Sequence, residues 1–207
     1  MFRRGDVFDN PITGERATIR LGTRETVGER LVVELELRGT GFGSALHVHP
    51  SIHERLTLVS GHVGISVDGV ITIAKLGKTI DIPAGVRHRF WNAGIYEAKL
   101  TLDMRPANRF VAYKFEAFMR NMIGLAQDGK TDAKGTPNLL QRALMATEFA
   151  DAIRFSSPPG LMQAILFPVL APIARWRGYR PSYNEYVFRL PSERLQSDAT
   201  MPILEHS

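Results

Sequence analysis

The chain has 207 residues, of which 44% are hydrophobic and 23% charged, and its formal net charge is +5. This composition is that of a folded globular protein, which excludes disorder along most of the chain. The excess positive charge is spread along the sequence, not clustered as nucleic-acid binding requires, and the absence of cysteine excludes disulfides, thiolate ligands and cysteine nucleophiles.

The N-terminal half has the alternating pattern of half-buried strands. Apolar residues alternate with mostly polar ones in 31–38, 63–68 and 97–105, and a period of two indicates a strand with one buried face. Asp68 and Gly69 stand between two such runs and suit a tight hairpin turn. Many short strands with frequent turns predict a β-sandwich or barrel.

From about Ala112 the apolar period becomes helical, as in Phe115, Phe118, Met119, Met122 and Ile123. A stop is predicted at 127–130, and a second helix is predicted to start at Thr136 and Pro137, with the threonine as cap. We therefore predict a barrel over 1–112, a helical C-terminal extension over 113–191 and a tail over 192–207.

A third apolar segment, 161–174, has about fourteen residues, fewer than the roughly twenty that span a bilayer. Pro168 and Pro172 are expected to kink a helix. Arginines and aromatic residues follow in 175–180, so a position in a membrane interface is one alternative. We predict instead that the segment is buried against the barrel or a partner subunit and does not sit in a membrane. We also predict that the protein is a homodimer, because the barrel and the apolar helices have more apolar surface than one small domain readily buries.

Four of the six histidines fall in two short windows. The first runs from Gly41 to Gly61 and holds His47, His49 and Glu54. His47 and His49 are two residues apart and therefore share one face of a strand. Glu54 has the same parity as two following leucines, which places it on the inner face of the next strand.

The second window runs from Gly77 to Asn92, and its His88 shares a strand face with Phe90 and Asn92. Both windows resemble the two cupin motifs, G(X)5HXH(X)3-4E(X)6G and G(X)5PXG(X)2H(X)3N, at every fixed position. The resemblance covers roughly residues 25–105. It implies a mainly β fold, the double-stranded β-helix or jelly-roll barrel, with a C-terminal α-helical extension outside it. It also implies that His47, His49, Glu54 and His88 are the ligands of one metal ion.

Three imidazoles and one carboxylate suit Fe, Mn, Ni, Co, Cu or Zn as the divalent ion. Two open positions in octahedral geometry support Lewis-acid or oxygen chemistry. The resemblance therefore favours a metal-dependent, dioxygenase-like oxidoreductase acting on a small molecule, with Glu54 as the catalytic residue. A non-enzymatic metal-dependent ligand sensor, or a cupin isomerase or lyase, remains the alternative. We expect no other cofactor.

The other polar residues of the two windows have simpler predicted roles. His53 has the opposite parity to Glu54 and is predicted to face away from the metal, and His62 is predicted to be solvated. Asn92 is expected to hydrogen-bond locally. Arg87 and Arg89 are predicted to lie on the outer face. The N-terminus has no apolar stretch, so we expect no secretory signal and a cytoplasmic location.

Overall fold

The computed structural model describes residues 1–156 and 160–194, which form twelve strands and four helices. The strands are β1 (Asp6–Asp9), β2 (Glu15–Leu21), β3 (Leu31–Leu37), β4 (His47–Val48), β5 (Ile52–Ser60), β6 (Val63–Val67), β7 (Val70–Ile73), β8 (Thr79–Ile82), β9 (Arg87–Asn92), β10 (Ala98–Pro106), β11 (Arg154–Phe155) and β12 (Glu193–Arg194). The helices are α1 (Arg109–Gln127), α2 (Leu139–Glu148), α3 (Gly160–Trp176) and α4 (Asn184–Val187).

The strands form two antiparallel sheets. One has the order β12-β1-β2-β3-β10-β5-β8 and the other the order β11-β4-β9-β6-β7. Apolar side chains from both sheets form one core, which also takes in Val111, Phe115 and Ile123 of α1. The predicted fold, a mainly β jelly-roll barrel followed by helices, is confirmed.

The predicted strand alternation is confirmed in β3 and β10, where buried residues alternate with partly buried ones along most of each strand. Strand β6 differs, because Gly64 and Ser66 on its second face are also buried. The ring of Trp91 on the neighbouring strand covers Gly64 so closely that a Cβ there would lie 2.4 Å from it. Glycine therefore lets the indole lie directly on the sheet.

The turn predicted at Asp68 and Gly69 is also confirmed. Both residues have positive φ, 47° and 86°, and they join Val67 to its cross-strand partner Val70. A two-residue turn with positive φ at both central positions is a type I′ turn, whose twist matches that of the strands in a β-hairpin. The turn leads into β7, which is the last strand of its sheet and is exposed along its whole length.

The helices begin and end close to the predicted positions, with one correction. Helix α1 ends at Gln127 as predicted, but α2 begins at Leu139, and its cap is Asn138, not Thr136. The side chain of Asn138 accepts a hydrogen bond from the backbone of Gln141. Pro137 is held in an isolated bridge to Thr131, which keeps it extended and delays the helix.

The extension contributes a strand to each sheet. Strand β11 pairs with β4, and β12 pairs with β1. The boundaries at 112 and 191 stay predictions. Of the predicted tail, 192–207, only the residues up to 194 belong to the part of the chain that the structure describes.

Helix α3 contains the apolar segment, and most of this segment is not buried against the barrel, contrary to one form of the prediction; burial against a partner subunit stays a prediction. The helix has 17 residues, of which only Phe167, Ala171 and Ala174 are buried. Ala171 and Ala174 pack with Leu144 of α2, while the opposite face is exposed. No helix in the described ranges is long and apolar enough to cross a membrane.

Candidate metal centre

The four predicted ligands come together inside the barrel. His47 on β4 is the cross-strand partner of His88 on β9, His49 directly follows β4, and Glu54 lies on β5 of the other sheet. All four are at most 5% exposed. One ligand atom from each lies within 4.8 Å of all the others, a separation that one metal ion can bridge.

A backbone hydrogen bond joins the two sequence windows at this site. Gly85 adopts φ 86°, a conformation that side chains disfavour, and its N–H donates to the carbonyl of His49 at 2.9 Å. The glycine turn of the second window thus holds the backbone of a ligand in the first.

Each of the three histidines has its ring orientation fixed by a carbonyl. Nδ1 lies 2.7 Å from the oxygen of Ala45 in His47, 2.7 Å from that of Ala152 in His49 and 3.0 Å from that of Val86 in His88. Because a carbonyl only accepts, each Nδ1 carries the proton. Nε2 is then the atom left to bind a metal, as in known metal sites.

The remaining polar atoms fit a cation better than they fit one another. Nε2 of His47 and Nε2 of His49 lie 3.1 Å apart, so two lone pairs face each other when both rings are neutral. Nε2 of His88 and Oε2 of Glu54 are 2.8 Å apart, an ion pair when His88 is protonated, but they lack the alignment of a hydrogen bond, and neither atom has a hydrogen-bond partner among the described residues. Buried polar atoms without partners are costly, and a shared metal ion removes that cost.

Burial and neighbouring charges set the protonation of the four groups. Burial lowers the pKa of His47 to about 3, helped by the nearby His49 and His88, and burial also lowers the pKa of His49. Burial opposes charge on Glu54, but contact with His88 and the charges of the histidines outweigh it and lower the pKa of Glu54. Burial likewise opposes charge on His88, and Glu54 outweighs it and raises the pKa of His88.

A protein-family model described as a cupin domain matches residues 33–104, the stretch that holds all four of these residues. The barrel belongs to the cupin superfamily. A probable oxidoreductase, virH, of Hypocrea virens is 29% identical over 160 residues, which cover 73% of this chain and 71% of that protein. That alignment is longer than the barrel, so the similarity continues into the helical extension.

Other similar proteins match shorter stretches of the chain. Protein SchB of Streptomyces halstedii is 35% identical over 60 residues, 29% of this chain and 44% of that protein. Among solved structures, a predicted oxalate decarboxylase of Thermotoga maritima is 17% identical, covers 51% of this chain and 99% of its own, and has a TM-score of 0.44. KdgF of a Halomonas species is 15% identical, with 49% and 86% covered and a TM-score of 0.43.

The other polar residues of the cupin motifs lie where the sequence predicts. His53 is half-buried and points away from the site, with Nε2 3.3 Å from Asp81. Asn92 is fully buried, and its side chain bonds to the backbone: the amide group donates to the carbonyl of Tyr96, and the oxygen accepts from the N–H of Gly94, as the prediction of local bonds requires. The amide group also donates to the carbonyl of Leu37, 55 residues away, which the prediction missed.

Three further basic residues in or next to these windows are exposed. Arg87 and Arg89 lie on the outer face of β9, and Arg89 stacks over Trp91 at 4.7 Å. His62 is exposed as predicted, but it precedes β6 instead of lying on a strand.

Sequence reasoning missed the residues that the extension brings to this cupin site. The carbonyl of Ala152 accepts from His49, and the ring of Phe115 lies edge-on to His49 with centroids 5.3 Å apart. Phe115 belongs to the predicted apolar stripe of α1, but the spacing of apolar residues does not identify the residues against which the helix packs. Ala152 acts through its backbone, so no residue type marks it.

Proposed function

We propose that the protein is a small-molecule oxygenase that uses one divalent metal ion held by His47, His49, Glu54 and His88. The observation that carries the proposal is the convergence of three imidazole Nε2 atoms and one carboxylate, with every Nδ1 tied to a carbonyl. When bound, a redox metal with this ligand set supplies dioxygen activation. The similarity to a probable oxidoreductase supports the same class of reaction.

The residues of the chain have distinct roles in this proposal. The three histidines hold the metal as neutral ligands. Glu54 is ionised because its pKa is lowered, and we assign it the catalytic role of accepting a proton from the substrate. Burial of all four groups excludes bulk water from the reacting atoms, which strengthens every electrostatic interaction at the site.

The experiment that tests the proposal is metal analysis followed by oxygen uptake. We expect about one metal ion per chain after reconstitution with Fe(II), by simple counting of one ligand set. The double variant His47→Ala, His49→Ala should lose it, and His53→Ala is the matched control, because His53 lies beside Glu54 but faces Asp81. Metal retained at the wild-type level in the double variant would show the ligand assignment to be wrong.

A second candidate function is non-enzymatic, metal-dependent binding of a small ligand. The observation that favours it is the cover over the site, because α1 and the Ala152 segment contact His49 directly. Oxygen consumption that depends on both metal and an organic substrate would reject it. Turnover of a substrate without oxygen would instead support a cupin isomerase or lyase.

The homodimer and the cytoplasmic location stay predictions. The homodimer is supported by β7, whose Val70, Ile71 and Ile73 are 55–66% exposed on an edge strand. An exposed apolar edge offers unpaired backbone groups to another chain, and a second copy presents the same edge.

A further inference from the structure

Helix α3 is apolar on two opposite faces. On one face Phe167, Ala171 and Ala174 are buried, and the two alanines pack with Leu144 of α2. The other face consists of six large apolar side chains that are 43–83% exposed: Leu161, Met162, Ile165, Val169, Ile173 and Trp176. Their spacing of three or four residues after Met162 makes them one continuous stripe. A helix that is apolar all round needs an apolar environment on its free side.

The stretch of sequence that carries this stripe, between Asp151 and Glu185, has charges of one sign. Residues 152–184 contain four arginines and no acidic residue, although the whole chain has a net charge of only +5. Arg175, Arg177 and Arg180 are exposed and lie at the C-terminal end of the helix, next to Trp176. The feature is thus an apolar helix face that ends in an indole and three guanidinium groups.

We propose that this face of α3 docks on an anionic lipid membrane, with the helix lying in the plane of the interface. The apolar stripe enters the boundary between headgroups and acyl chains, Trp176 sits at headgroup depth, and the arginines contact lipid phosphates and carboxylates. With 17 residues the helix is about 25 Å long, and it lies on the membrane without crossing it.

A second copy of the chain is a poorer occupant of the same face. In an antiparallel pairing, Arg175 and Arg177 approach the start of the other copy's helix, where the helix dipole is positive and the first turn has no acidic residue. In a parallel pairing the arginines of the two copies face each other. Anionic lipid supplies the negative charge that a second copy lacks.

The test is flotation of the full-length protein with vesicles of phosphatidylcholine, with and without phosphatidylserine. We expect flotation with the anionic vesicles and a blue shift of Trp176 emission, read in a Trp91→Phe background that leaves one tryptophan. Ile165→Asp with Val169→Asp should abolish both signals without a change in melting temperature, because both side chains are exposed. Ile95→Asp, which changes an apolar residue that is 79% exposed elsewhere, is the control.

A second pair of variants tests the charges. Arg175→Gln with Arg177→Gln should lower partitioning onto anionic vesicles by roughly tenfold or more, while Arg24→Gln with Arg105→Gln removes the same charge elsewhere on the exposed surface. Wild-type protein that stays off anionic vesicles overturns the proposal. So does a change from dimer to monomer in the Ile165, Val169 variant, which would assign the face to a second copy.

Discussion

Nδ1 of His49 lies 2.7 Å from the carbonyl oxygen of Ala152, although 103 positions separate the two residues in the sequence. The bond orients a predicted metal ligand through a residue outside the cupin motifs. Strand β11 begins two residues after Ala152 and pairs with β4, so Phe155 is opposite His47. The helical extension is therefore part of the scaffold of the site.

We predict that Phe115→Ala weakens metal binding. The ring packs edge-on against His49, and loss of an outer contact of this kind typically lowers metal affinity about 10–100-fold. Removing a buried phenylalanine should also cost about 3–5 kcal/mol in the free energy of unfolding. The measurement is a competitive metal titration beside urea unfolding.

The matched control for Phe115 is Phe118→Ala. Phe118 lies on the same helix and is equally buried, but it packs against Phe149 and Phe155. We expect a similar loss of stability with unchanged metal affinity. Equal losses of affinity in both variants would show that Phe115 acts only through general stability.

We predict that metal uptake releases protons near pH 7. The lowered pKa values of His47 and His49 make these rings neutral there, whereas the raised pKa of His88 increases the fraction of that ring that carries an additional proton in the metal-free protein. Metal affinity should therefore rise with pH until His88 loses its proton. Calorimetric titration in two buffers of different ionisation enthalpy counts the protons, and a count of zero would mean that His88 is already neutral.

The metal-free protein is predicted to lose stability as the pH falls below 6.5. The pKa of His47 is about 3 in the folded chain and 6.5 when unfolded, so between these values the unfolded chain binds the additional proton. This group alone gives a slope of about 1.4 kcal/mol per pH unit. The lowered pKa of Glu54 acts in the same direction below 4.5.

The pKa shift of His88 changes the stability with pH in the opposite direction. Its raised pKa gives stability that is fully present below pH 6.5 and is lost as the pH rises through the folded value. Urea unfolding at several pH values measures both effects. In His47→Gln the acid-side slope should decrease by about one proton, or about 1.4 kcal/mol per unit, and an unchanged slope would exclude His47 as the source.

We predict that Ile71→Lys converts the protein to a monomer. Ile71 is 62% exposed on the edge strand β7, and a lysine on an edge discourages pairing with another chain. Sedimentation at micromolar concentration is the measurement. Ile165→Asp is the control and should leave the dimer intact, because we assign α3 to the lipid surface. A dimer that persists in Ile71→Lys would show that β7 is not the dimer interface.

The barrel and the clustering of the four predicted ligands were predictable because short-range spacing encodes them. His47 and His49 share a face through the two-residue period of a strand, and Gly85 marks the turn that positions its own window. Asn138 also lies near the predicted helix start, but Thr136 competes as a cap until the bridge of Pro137 to Thr131 is known. The local sequence pattern therefore predicts that a helix forms here, but it does not determine which residue begins the helix.

Long-range partners were not predictable in the same way. Ala152 contributes a carbonyl that any residue possesses, and its approach to His49 depends on the path of α1 and α2. The apolar residues of α3 predicted burial, yet composition alone does not say whether the chain folds back over Ile165 and Val169, which it leaves exposed.

The contact between His49 and Ala152 also bears on the order in which the chain is made. His88, the last of the four predicted ligands, precedes Ala152 by 64 residues, since 152 − 88 = 64. At about 5–20 residues per second this is an interval of roughly 3–13 s during synthesis. Throughout it, a nascent barrel holds the four predicted ligands without the carbonyl that orients His49. We therefore expect the ring of His49 to take its final orientation only after the segment around Ala152 has left the ribosome.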